Sequence, residues 1–143
     1  MKSVHILLVE DNEGDILLIK EAFEEAKLYN DISVAKNGEA AINFMKKEGE
    51  YIDAETPDLI ILDVNLPRRN GHEVLDFIKT DNEIKHIPVV MLTTSSSESD
   101  IMLSYKKHAN CYITKPVDVD DFIKAVIEIE NFWISLVQLP GND

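Results

Sequence analysis

Leu59-Ile60-Ile61-Leu62-Asp63-Val64-Asn65-Leu66-Pro67 is the stretch around which the rest of the chain is organised. Four aliphatic residues in succession, with no polar alternation, read as a strand covered on both faces, and a carboxylate stands where the apolar run ends. Pro67 stops the strand. In open parallel sheets ligands bind just outside the carboxyl ends of the strands, which places Asp63 for chemistry more than for packing. A single such Asp also reads as a strand-end cap or turn former. The other strand ends decide between the two.

The chain is acidic and of single-domain size. Its 143 residues, 45% hydrophobic and 29% charged, suit one soluble globular domain with a sizeable core, read as residues 1–131, with 132–143 as a C-terminal extension of the last helix and a tail. The 27 Asp and Glu against 14 Lys and Arg give a formal charge of -13, which opposes attraction to phosphate backbones and anionic membranes. Neither nucleic acid nor membrane is expected as a direct partner. One cysteine, Cys111, forms no internal disulfide, and Met1-Lys2-Ser3 leads into an apolar run of strand length with no cleavage-site pattern. No run approaches the ~18 apolar residues of a membrane span, so a cytoplasmic location is expected.

Along the chain, strand and helix patterns alternate. Val4 to Val9 is apolar but for His5 and closes on Glu10-Asp11-Asn12, after which Ile16, Ile19, Phe23 and Ala26 recur at helical spacing. Ile32 and Val34 mark a second strand; Ala41, Ile42 and Met45 mark a second helix. Gly49 to Pro57 reads as a polar connection. Beyond the central strand, Asn70-Gly71 turns into a helix carrying Val74, Leu75 and Ile78. Pro88 introduces strand four, Val89 to Thr93; a helix with Ile101, Met102 and Tyr105 follows, and strand five is Cys111 to Thr114, stopped by Lys115-Pro116. Asp118 is placed to cap a last helix over about 119–136. Five strand-helix repeats predict an α/β fold, a doubly wound five-stranded parallel sheet with helices on both faces, because each parallel crossover needs a helix to return the chain.

In that fold the polar strand ends share one edge, where Glu10 and Asp11, Asp63, Thr93 with Thr94, and Lys115 converge from four strands. Three carboxylates so close raise one another's proton affinity unless a cation neutralises them. Oxygen ligands at this density suit Mg2+, which keeps waters that a phosphate can replace. Lys115 supplies a point charge for a phosphoryl oxygen, and the Thr93 hydroxyl can donate to another. An attacking carboxylate, a metal, a cation and a hydroxyl are the parts needed for in-line phosphoryl transfer to Asp.

At these residues the sequence resembles a receiver domain of the two-component response regulators. The resemblance runs from Ile6-Leu7-Leu8-Val9-Glu10-Asp11-Asn12 through Leu62-Asp63-Val64-Asn65-Leu66-Pro67 and Leu92-Thr93-Thr94 to Tyr112-Ile113-Thr114-Lys115-Pro116. It implies a flavodoxin-like sheet of order 2-1-3-4-5 and Asp63 as phosphoacceptor. It also implies Mg2+ bound by Asp11, Asp63 and the backbone carbonyl of Asn65, with Glu10 acting through water or from behind. Lys115 would pair with the phosphoryl group, and Thr93 and Tyr112 match the pair that switches on phosphorylation. The segment His108 to Asp118, the later Phe132-Trp133 and the long loop before Pro57 resemble the small stand-alone regulators paired with bacterial phytochrome-type histidine kinases, which implies such a sensor kinase as donor.

Two other function classes are weighed against this one. Aspartyl-phosphate phosphatases of the haloacid dehalogenase type place a second Asp two residues after the nucleophile as general acid/base; Asn65 stands there and cannot transfer a proton in that way. A phosphate-independent binding module has no need of intact Asp11, Asp63, Thr93 and Lys115. His5, His72, His86 and His108 are scattered and read as structural, and Cys111 as a small core residue. A receiver of this kind catalyses only its own phosphorylation and dephosphorylation, and signals through a partner surface.

The last helix carries a surplus of apolar residues. Phe122, Val126, Ile129, Trp133 and Leu136 fall in one stripe suited to the sheet, while Val119, Ile123, Ile127, Ile134 and Val137 form a second band beside it. Either the chain's own fourth helix and tail cover this band or it is exposed and marks an interface; the second reading is taken, and a symmetric homodimer is expected with Ile123, Ile127, Trp133, Ile134 and Val137 in it. Sedimentation should find a dimer at tens of micromolar that Ile127→Glu converts to monomer; a monomeric wild type, phosphorylated or not, removes the interface.

Overall fold

An apolar run without alternation can only sit inside a sheet covered on both sides, and Leu59–Asp63 (β3) does so with all five residues buried. The computed structural model describes residues 4–25, 30–93, 111–115, 120 and 124. The helix expected around Ile101, Met102 and Tyr105, the last helix over about 119–136 except at Asp120 and Lys124, and the band at Ile123, Ile127, Trp133, Ile134 and Val137 lie outside the described residues.

β3 has Val4–Val9 (β1) on one side and Val89–Thr93 (β4) on the other, all parallel. Asn30–Ala35 (β2) pairs with β1 and Cys111–Thr114 (β5) with β4, giving the order β2-β1-β3-β4-β5 that the resemblance implies. Side-chain alternation divides the core into two layers. Ile6, Leu8, Leu59, Ile61, Val90 and Leu92 face Ile16, Ile19 and Phe23 of Glu13–Glu25 (α1). Leu7, Val9, Ile60, Leu62, Val89 and Met91 face the other way, against Ala41, Ile42 and Phe44 of Gly38–Lys46 (α2) and Val74, Leu75 and Ile78 of Gly71–Thr80 (α3). The sheet is therefore doubly wound, with helices on both faces.

Local sequence fixes where the helices start. Asn37 accepts from Ala40 N at the head of α2, and Asn70 caps α3 in a reciprocal capping box with Glu73. α2 ends on Lys47 in the left-handed region, φ 59°, with Lys47 N and Glu48 N returning to Phe44 O and Asn43 O. The connection from Gly49 to Pro57 is more ordered than its polarity predicts. Gly49–Tyr51 is a 3-10 turn, and the Tyr51 ring packs 5.4 Å from Phe44 because one aromatic in a polar loop can still complete the layer beneath it. His5 is structural as expected: its ring lies against Phe44 and its Nε2 is 2.9 Å from Ser33 Oγ.

Two helix starts press against the loop that follows β3. Gly38 N donates to Pro67 O, and Gly71 N donates to Val64 O at 2.9 Å. A Cβ on Gly71 would lie 2.3 Å from Asp63 O and 2.7 Å from Val64 Cα, both backbone atoms without freedom to retreat. Gly71→Ala is accordingly expected to cost about 1–3 kcal/mol, the range of overpacking in a tight core. Chemical denaturation checks it, with the solvent-facing Glu73→Ala as the contrast that loses only a cap contact.

Candidate functional site

The register of the sheet builds the site. Val9 lies beside Leu62, so Glu10 comes next to Asp63; Asp63 lies beside Leu92, and Leu92 beside Ile113. Lys115 follows two residues later on the same edge. One carboxylate oxygen of each of Glu10, Asp11 and Asp63 falls within 4.8 Å of the others. Glu10 and Asp63 are the only buried charged residues among those described, at 0% and 3% exposure, whereas Asp11 is exposed.

Each buried carboxylate is held at both oxygens. Asp63 Oδ1 accepts from Asn65 N at 3.1 Å and Oδ2 from Lys115 Nζ at 3.2 Å. Glu10 Oε1 accepts from Asn12 N at 3.1 Å and Oε2 from Lys115 Nζ at 2.6 Å. The third donor of the ammonium goes to Asp15 Oδ2 at 2.9 Å. Burial pushes the Glu10 carboxyl up to about 7; the hydrogen bonds from Lys115 and Asn12 pull against that, and the charge of Asp63 adds to it. Burial also opposes the charge on Lys115, but the bonds to Glu10 and Asp15 and the charges of Asp63 and Glu10 outweigh it and raise its pKa above the usual lysine value.

The sequence-expected residues Glu10, Asp11, Asp63 and Lys115 are thus brought together. Asn65 stands beside them, its N–H on Asp63. Thr93 ends β4 and pairs with Thr114, and Tyr112 in β5 pairs with Met91; their side chains lie outside the described residues. Asp15 was not expected. It sits in the first turn of α1, one turn past the strand ends, where an acid reads as a complement to the helix dipole. The donor set is chemically suited to a hard divalent cation: three carboxylates, oxygen only, with one carboxyl whose proton is held by burial and by a neighbouring charge.

Residues 6–127 match the model of the response regulator receiver domain. The chain belongs to that family. Phosphoryl transfer to an aspartate is the general function of such receivers. Among its relatives, response regulator Rcp1 of Synechocystis sp. is 44% identical over 136 residues, covering 95% of this chain and 92% of Rcp1. The probable methanogenesis regulatory protein FilR2 of Methanothrix harundinacea is 38% identical over 95% of this chain and 87% of its own. The crystal structure of the phosphorylated cyanobacterial phytochrome response regulator RcpA superposes with a TM-score of 0.83 at 45% identity, covering 98% of this chain and 100% of that one. The Mn2+-bound form of Rcp1 superposes with a TM-score of 0.81 at 43% identity, over 96% and 99%. No helix among the described residues is long and apolar enough to cross a membrane.

The raised Glu10 carboxyl has a measurable consequence for the receiver. Between the ordinary value of 4.5 and about 7 the folded protein keeps a proton on Glu10 that the unfolded chain has released. The stability this provides is present in full below 4.5 and is lost as pH rises through about 7. Denaturation in a chelator at several pH values should show that decline, and Glu10→Gln should flatten it. An unchanged slope in Glu10→Gln would assign the decline to other groups.

Proposed function

We propose that this receiver is a phosphorylation switch in which Asp63 takes a phosphoryl group from a phosphohistidine on a sensor histidine kinase. The placement of Asp63 carries the reading: a carboxylate 3% exposed at the end of the central strand, fixed at both oxygens and in contact with an ammonium. One Asp63 oxygen forms the new bond to phosphorus as the bond from phosphorus to imidazole nitrogen breaks, and the imidazole leaves with the electron pair. Lys115 then pairs with a phosphoryl oxygen, and the Thr93 hydroxyl donates to another. Tyr112, in β5, carries the change to a protein-binding surface.

Mg2+ suits the site, with Asp11, Asp63 and the Asn65 carbonyl as ligands and Glu10 acting through water; bound there, it supplies charge to offset that developing on the phosphoryl oxygens. The relatives support a donor of the phytochrome type, since RcpA is a cyanobacterial phytochrome response regulator. The chain acts on no small substrate and catalyses only its own phosphorylation and hydrolysis. A homodimer through the last helix and a cytoplasmic setting complete the reading. A dehalogenase-type phosphatase is disfavoured because the residue two beyond the nucleophile, Asn65, meets Asp63 through its backbone N–H and has no acid to offer.

Acetyl phosphate with Mg2+ should label the wild type on the peptide containing Asp63. Asp63→Asn should remain folded and fall to background, and chelation should abolish labelling of the wild type. Equal labelling of the variant on that peptide removes Asp63 as acceptor.

A further inference from the structure

Lys115 has a partner that the phosphoryl-transfer reading does not use. Its ammonium is 2.9 Å from Asp15 Oδ2, closer than the 3.2 Å to Asp63. Asp15 is the third residue of α1, and an acid at that position ordinarily reaches back to the N–H of the capping residue. α3 shows that arrangement: Asn70 Oδ1 accepts from Glu73 N, and Glu73 Oε1 accepts from Asn70 N. In α1 only half of it forms. Asn12 Oδ1 accepts from Asp15 N at 2.9 Å, but the N–H of Asn12 is taken by Glu10 Oε1 at 3.1 Å. The Asp15 backbone is therefore held while its carboxylate is released from capping and pairs with Lys115.

Of the three carboxylates on the ammonium, Glu10 and Asp63 belong to the group that fits a divalent cation, and Asp15 does not. A cation seated on that group repels the ammonium and competes with it for the same oxygens. Asp15 is the partner that Lys115 can keep. We propose that Asp15 is a positioning residue, drawing Lys115 off the cation-binding oxygens and holding it beside Asp63 for the incoming phosphoryl oxygen. Only the last part rests on the phosphoacceptor reading; the competition between lysine and cation stands on the geometry alone.

Calorimetric titration of Mg2+ into wild type, Asp15→Asn, Lys115→Ala and the double variant tests this, each protein first checked for folding by circular dichroism. Asp15→Asn should weaken binding about three- to tenfold, as the ammonium falls back onto Glu10 and Asp63. In the Lys115→Ala background the same substitution should change affinity by less than about twofold, because a partly exposed charge acting alone is screened. No weakening in the wild-type background, or equal weakening in both, overturns the proposal. If acetyl phosphate labels none of the four while the coupling is present, the phosphoacceptor reading fails and the positioning of Lys115 by Asp15 stands.

Discussion

Two carboxylates, Glu10 and Asp63, are buried side by side at the ends of adjacent central strands, and the ammonium of Lys115 lies between them. Buried like charges are tolerable only with a counter-charge in contact. Lys115 arrives from the edge strand, 105 positions from Glu10 and 52 from Asp63. Such a cluster is a poor way to gain stability, since desolvation offsets much of the attraction, while removing one partner of a buried pair typically costs about 3–5 kcal/mol. A domain that needed only a stable strand end would place an apolar residue there. The cluster is held against that alternative, and in the proposed reading its use is in exchanging one cation for another.

The rest of the fold holds the backbone beneath this cluster in place. β3 is buried on both faces, and its carboxyl end is pinned by Val64 N to Leu92 O and Gly71 N to Val64 O. The loop beyond it is clamped between two helix starts whose first residues are glycine because the neighbouring backbone leaves no room for a Cβ. The main chain at Asp63 is therefore fixed, and under the proposed function the response to a charged group on it falls on the groups that face its carboxylate.

The sheet was legible in the sequence because unbroken aliphatic runs leave few alternatives to a strand covered twice, and the strand ends were marked by Asp11-Asn12, Pro67 and Lys115-Pro116. The convergence of Glu10, Asp11, Asp63 and Lys115 followed from topology alone. Asp15 was not legible in the same way. Its sequence context, an acid three residues after Asn12, is that of a capping box, and only the diversion of the Asn12 N–H to Glu10 frees it. The order within 49–57 was missed for a related reason: polarity identifies solvent contact but says nothing of a single tyrosine finding an aromatic neighbour.

The sheet is asymmetric about Asp63, and that bears on how a change proposed there would spread. β1 and β3 each have a strand on both sides and apolar layers above and below. β5 is four residues long and, among the described residues, pairs only with β4. Displacing β1 would break pairing along two edges, whereas an adjustment at the end of β5 strains one. Lys115 is the member of the cluster attached to that strand, and Thr93 and Thr114 pair at its last rung. If Asp63 takes a phosphoryl group as proposed, Lys115, which already contacts its carboxylate, exchanges a carboxylate partner for a phosphoryl oxygen. Under that proposal the adjustment falls on the β4–β5 pairing, and the surface beside it is the one expected to report the charge state of Asp63 to a partner.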